Sequence, residues 1–241
     1  MIKNRKVIFF DMGNTLLHFH HGKSDKEKDD KGIKYLTDFF KTFNNNIGMD
    51  SVRKDFFNKW QEVMALRKLT CLEYPVEEYL NEFLKGYDVK LDLDMCIKAM
   101  DIFYTEYRKY VLVEKEIHKT LDKLIQKGYR IGVISNTSLY DEVMINCFKE
   151  VGLYKYIDTF TFSYYLKVGK PKKEIFKVAL DRMNIEGKDA IMVGDNLLSD
   201  IKPAQSLGVY GIWFNKYNRL NDTEIKPNCE ISQLTDLGDI L

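Results

Sequence analysis

Cysteine is scarce in the 241-residue chain. Cys71, Cys96, Cys147 and Cys229 are scattered, and no two form a C-x-x-C pair. This usage suits free or buried thiols in a reducing compartment rather than a disulfide framework. An excess of charge is missing too: 37 lysines and arginines face 36 acidic residues, a formal net charge of +1. Such a balance gives no support to a nucleic-acid surface or a polybasic membrane patch. No apolar run approaches the roughly 20 residues that a spanning helix needs. The first one, Val7 to Phe10, stops at Asp11 and is too short for a signal peptide. Internal repeats and low-complexity segments are absent. The expectation is a soluble cytoplasmic protein, monomer or homodimer, that binds neither nucleic acid nor membrane.

What is present falls into two compositions. Lys6 to Phe10, Arg130 to Ser135, Ala190 to Val193 and Val209 to Phe214 are apolar on consecutive positions, as strands covered on both faces should be. Thr159 to Ser163 is a weaker strand candidate. Helical patterns lie between them. Glu114 to Lys127 places Ile117, Leu121, Leu124 and Ile125 on one face before Gly128, Lys172 to Met183 follows Pro171, and Asp200 to Leu207 closes at Gly208. The alternation predicts an α/β fold, a Rossmann-like doubly wound parallel sheet.

From about 20 to 112 the pattern is helix after helix. Ile33, Leu36, Phe40, Phe43 and Ile47 form one stripe; Val52, Phe56, Trp60 and Val63 form another. Tyr79, Leu80, Phe83 and Leu84 follow Pro75. Leu93, Ile97, Met100, Phe103, Tyr104 and Tyr107 make the fourth stripe. These aromatics read as bundle core, and the mixed-charge run Lys23 to Lys31 as a solvated linker or first turn. The expected organisation is a core of residues 1–18 and 113–241 with an all-helical cap, 19–112, inserted after the first strand. Ligands of open parallel sheets bind beyond the carboxyl ends of the strands, so the insertion would hang over such a site.

Polar clusters follow four of the strand candidates: Asp11 to Thr15, Ser135-Asn136-Thr137, Lys170-Pro171, and Gly194-Asp195 with Asp200 five residues on. Each alone reads as a turn or a helix cap. In this order, and at strand ends, they resemble the four motifs of the haloacid dehalogenase-like superfamily, in its form with a helical cap. The resemblance covers nearly the whole chain. It implies a phosphohydrolase for a small phosphorylated metabolite, with Asp11 as nucleophile forming an aspartyl-phosphate. It also implies Mg²⁺ held by Asp11, the Gly13 carbonyl and Asp195, with Asp200 behind them. Lys170, Ser135, Asn136 and the amides of Met12, Gly13 and Asn14 would gather the phosphate. Thr15 would tie down the loop through its hydroxyl.

The departure is Gly13. Phosphatases of the family carry a second aspartate there, which protonates the leaving oxygen and activates water. A good leaving group, a substitute such as His18, His20 or His21, or slow turnover would each be compatible with glycine. Phosphonatases of the family have alanine at that place and a Schiff-base lysine in the cap, for which Lys34, Lys41, Lys54, Lys59, Lys68 and Lys85 are candidates. Dehalogenases of the family lack the Gly-Asp pair, so Gly194-Asp195 speaks against that chemistry.

Overall fold

Residue 7 starts a strand because four consecutive apolar side chains can be buried only between two layers. Val7 and Phe9 join one apolar cluster with Ile134, Phe176 and Met192, whereas Ile8 and Phe10 join another with Ile131, Leu121 and Val193. Alternate residues therefore fill cores on opposite faces, as a strand's two-residue period requires. The computed structural model describes residues 5–70 and 72–241. Cys71 lies outside the described residues, as does the side chain of Lys68.

The sheet has six parallel strands in the order β3-β2-β1-β4-β5-β6. They are β1 (Val7–Phe10), β2 (Arg130–Ser135), β3 (Thr159–Phe162), β4 (Ala190–Gly194), β5 (Tyr210–Phe214) and β6 (Cys229–Ile231). This is the Rossmann-like order, with its switch point beside β1. Register places the site: Phe10 pairs with Val133 on one side and Val193 on the other. The next residues of the three strands, including Asp11, Ser135 and Asp195, thus emerge side by side at the carboxyl edge. The β6 strand was not anticipated; three residues flanked by polar ones carry too little pattern. A helix over Asp141–Glu150 was also not anticipated, although Val143, Met144, Cys147 and Phe148 form its buried stripe.

All the elements between β1 and Ile117 are helical. They are α1 (Asp25–Lys41), α2 (residues 49–70, with a π-helical stretch Val52–Phe57), α3 (Val76–Lys85), α4 (Leu93–Phe103) and α5 (Thr105–Lys109). The two crossings into this insertion meet in an antiparallel bridge, His18 with Leu112. Of the two readings of the charged run, the first turn of a helix holds and the solvated linker does not. Ser24 and Glu27 form a reciprocal capping box, α1 begins at once, and Lys28 is fully buried with its ammonium on the Phe19 carbonyl at 2.6 Å. Phe43 and Leu93 depart from the expected stripes and are exposed, since they lie beyond the end of α1 and at the start of α4.

Gly32 lets α1 and α4 close. A Cβ there would lie 2.5 Å from the Phe103 carbonyl and 2.8 Å from its ring. On the far side of the insertion, Glu77 of α3 accepts hydrogen bonds from Tyr140 (3.0 Å) and Tyr164, and the Val76 amide donates to the Tyr164 hydroxyl at 2.9 Å. Cys96 and Cys147 are buried free thiols and Cys229 is a partly exposed one. No helix among the described residues is long and apolar enough to cross a membrane.

Candidate active site

Asp11 sits at the mouth of β1, 7% exposed, one residue past the strand's end, with its amide still donating to the Val193 carbonyl at 2.9 Å. Its Oδ1 accepts from Lys170 Nζ at 2.5 Å and from Ser135 Oγ at 3.2 Å. The backbone amide of Met12 also hydrogen-bonds this carboxyl. Lys170 also reaches Asp200 Oδ1 at 2.7 Å, so one buried ammonium bridges two buried carboxylates.

The electrostatics follow from burial. Desolvation pushes the Asp11 carboxyl up to about 6; Lys170 opposes the shift and Asp200 adds to it. Asp195 is pushed up to about 7, by burial first and then by Asp11 and Asp200. Burial also works against the Lys170 ammonium, but the two aspartates outweigh it and hold it above the usual lysine range. Ligand oxygens of Asp11, Asp195 and Asp200 lie within 4.8 Å of one another. Three carboxylates this close face one buried lysine and, 3.7 Å from Asp195, the half-exposed Arg219 guanidinium, and so remain short of positive charge. Their hard oxygen donors suit Mg²⁺.

Gly194 is required by this packing. A Cβ on it would lie 2.6 Å from Asp200 Cγ. Asp200 itself is fixed by the Asn196 amide at 3.0 Å, at the start of a helical segment that runs over residues 197–205. Gly194→Ala is therefore expected to displace Asp200 and loosen Lys170. Turnover should fall by about one to two orders of magnitude, with roughly 1–3 kcal/mol lost from stability. Steady-state kinetics and a denaturant titration check this; an unchanged kcat would contradict the packing argument.

Three expectations change in the structure. Asn136 does not offer its side chain to a phosphate: Nδ2 donates to the Lys170 carbonyl at 2.8 Å, and Oδ1 accepts from the Lys170 amide at 2.7 Å. That two-pronged clamp positions the lysine. Thr15 is fully buried, yet its hydroxyl has no partner among the described residues. The loop is held instead by backbone bonds from Leu16 and Leu17 to the Met12 carbonyl, at 3.0 and 2.8 Å. The Asn14 amide is taken by the Leu17 carbonyl at 2.9 Å, and Asn14 itself adopts φ 59°. Of the three amides expected to bind phosphate, those of Met12 and Gly13 have no backbone acceptor, and that of Met12 bears on the Asp11 carboxyl.

These residues form the floor of a cavity of about 550 Å³, the size of a small-molecule site. Its roof comes from the helical insertion: Phe19, Asp29, Trp60, Arg67, Tyr104 and Tyr107 are among its lining residues. Trp60 and Tyr107 were read only as core. Helical period places such residues on one face, but it cannot tell which end of that face meets the site. Among the described residues, no histidine lines the cavity, and Lys170 is its one lysine. His18 lies instead 2.7 Å from Glu114, and His20 pairs with Asp25 at the exposed start of α1. None of the described cap lysines is placed to form a Schiff base there.

A family model for haloacid dehalogenase-like hydrolases matches residues 5–208. The glyceraldehyde 3-phosphate phosphatase of Pyrococcus furiosus is 26% identical over 243 residues, spanning 98% of this chain and 92% of that protein. Two solved structures share the fold. A phosphatase of the same superfamily from Thermococcus onnurineus superposes with a TM-score of 0.61 at 22% identity, covering 98% of this chain and 97% of its own. A 2-haloacid dehalogenase from Pseudomonas syringae gives 0.64 at 21%, with the same coverage. Backbone shape alone thus does not separate attack on phosphorus from attack on carbon.

Proposed function

Because the chain belongs to the haloacid dehalogenase-like hydrolases, we propose that it is a Mg²⁺-dependent phosphatase acting on a small phosphorylated metabolite. The observation that carries this reading is the Lys170 ammonium, 2.5 Å from Asp11 and 2.7 Å from Asp200, beside a third carboxylate, Asp195. Attack on carbon needs no such acidic trio; an anionic phosphate does, because the trio can hold the cation that lets it approach. The phosphatase names of relatives such as the one from Pyrococcus furiosus point the same way. Residues 1–18 and 113–241 act as the catalytic core and 19–112 as its cap.

In this reading Asp11 is the nucleophile. Ser135 and Lys170 both bind Oδ1, which fixes the carboxylate plane and leaves the other oxygen to approach phosphorus. Lys170 and the Met12 and Gly13 amides neutralise charge on the transferring group. Asn136 keeps the lysine backbone in place. Asp11, Asp195 and the Gly13 carbonyl would hold Mg²⁺, with Asp200 bracing the site; the bound ion supplies positive charge between two anions. Gly13 has no side chain to move a proton.

A panel of phosphate monoesters, assayed with Mg²⁺ and after chelation, tests the reading. Release of inorganic phosphate from at least one ester should fall by more than about 10²-fold without the ion. Hydrolysis of a 2-haloacid without metal, and of no phosphate ester, would replace this reading with dehalogenation.

A further inference from the structure

In a nucleophilic displacement the leaving oxygen departs opposite the attacking one. Asp11 lies at the sheet edge, so the leaving group of an ester seated on it points away from the sheet, toward the helical roof. Whatever protonates that oxygen must line the roof, because Gly13 cannot.

Four carboxylates line the cavity among the described residues: Asp11, Asp29, Asp195 and Asp200. Three belong to the acidic trio. Asp29 stands apart on α1, three residues before Gly32 and therefore on the same helix face. The missing Cβ of Gly32 lets that face close on Phe103, which brings Asp29 to Tyr107. The Tyr107 hydroxyl donates to Asp29 Oδ1 at 2.9 Å, and its ring stacks on Tyr104 at 4.8 Å and 11°. Asp29 Oδ2 has no hydrogen-bond partner among the described residues. The result is a half-buried carboxyl, held at one oxygen by a rigid aromatic pair and open at the other.

The remaining roof groups are worse proton carriers. Burial drives the Tyr104 hydroxyl well above its ordinary range, and the Tyr107 hydroxyl is spent on Asp29. Arg67 is held by Glu73. Asp29, by contrast, is shifted upward by burial; Asp25 and Asp30 reinforce this, while the Tyr107 hydrogen bond and Arg53 oppose it. A raised carboxyl is one that can carry its proton into the reaction.

We infer that Asp29, supplied by the cap, is the general acid and base that this chain lacks at Gly13. The inference rests on the phosphatase reading above. As the Asp11–phosphorus bond forms, the phosphorus–oxygen bond to the leaving group breaks. The Asp29 proton passes to that oxygen, and a neutral alcohol departs. The Asp29 carboxylate then takes a proton from the water that attacks the aspartyl-phosphate. The bond from phosphorus to Asp11 breaks, inorganic phosphate leaves, and both carboxyl groups return to their starting states.

General-acid help matters in proportion to how poor the leaving group is. The test compares Asp29→Asn with the unaltered protein on 4-nitrophenyl phosphate, whose leaving group needs little protonation, and on glycerol 1-phosphate, whose leaving alkoxide needs it fully. The substitution should lower kcat for the alkyl ester by about 10²–10³-fold more than for the aryl ester. Gly13→Asp added to Asp29→Asn should restore the alkyl rate, since a Cβ at residue 13 meets nothing within 4 Å. Equal losses on both esters would show that Asp29 merely holds substrate or structure, and would overturn the inference. So would an unchanged ratio of the two rates, or failure of Gly13→Asp to restore the alkyl rate. If the unaltered protein hydrolysed neither ester nor any other phosphomonoester, the phosphatase reading itself would fall, and the inference with it.

Discussion

Asp11→Asn is expected to reduce phosphate release by at least about 10⁴-fold, because it removes the attacking atom rather than an auxiliary. The same substitution should make the metal-free protein more stable, and the sign follows from the site. Burial holds the Asp11 carboxyl up to about 6, above its unfolded value. The stability it contributes is complete below the unfolded value and is lost as pH rises through about 6. Above that pH the fold is paying to keep an anion beside Asp195 and Asp200, and a neutral asparagine relieves it. Thermal melts in chelator at pH 8 should show Asp11→Asn above the unaltered protein, and the gap should close toward pH 4. Loss of activity with gain of stability is the signature of a charge kept for chemistry.

Lys170→Ala should act in the opposite direction on stability. It also lowers turnover, by about 10²–10³-fold, through loss of a cation at the transferring group. The larger effect is on the fold: Asp11 and Asp200 are left buried, close and without their shared cation. Breaking a buried pair in this way costs about 3–5 kcal/mol, or roughly 10 °C in Tm for a chain of this size. The comparison of the two variants in chelator is sharper than either alone. Both remove the same 2.5 Å contact, yet one should melt higher and the other lower. If both melted lower by similar amounts, the contact itself would dominate and the surplus of negative charge would not.

The sheet was legible because burial on both faces leaves runs that no turn or amphipathic helix imitates; Val7–Phe10 and Ala190–Gly194 appear almost residue for residue. The floor of the site was legible for a related reason. Asp11, Lys170, Asp195 and Asp200 are polar residues placed where apolar runs stop, and parallel register carries such places to one edge. The partner of each side chain was not legible. Asn136 clamps a lysine backbone 34 residues away, and nothing local marks it as different from a phosphate ligand. The roof was least legible. Asp29 looks like one charge among many in Lys23 to Lys31, and only the close approach of α1 and α4 at Gly32 turns it toward the cavity.

The account depends most on covalent attack by Asp11. Rapid quenching of the protein during turnover of a phosphate ester, followed by borohydride reduction and peptide mass analysis, reads this directly, because an aspartyl-phosphate is reduced to homoserine. The peptide spanning residue 11 should carry homoserine in amounts that rise with occupancy and vanish in Asp11→Asn. Steady hydrolysis of the ester with residue 11 unmodified, or with the label on another carboxylate, would contradict the account.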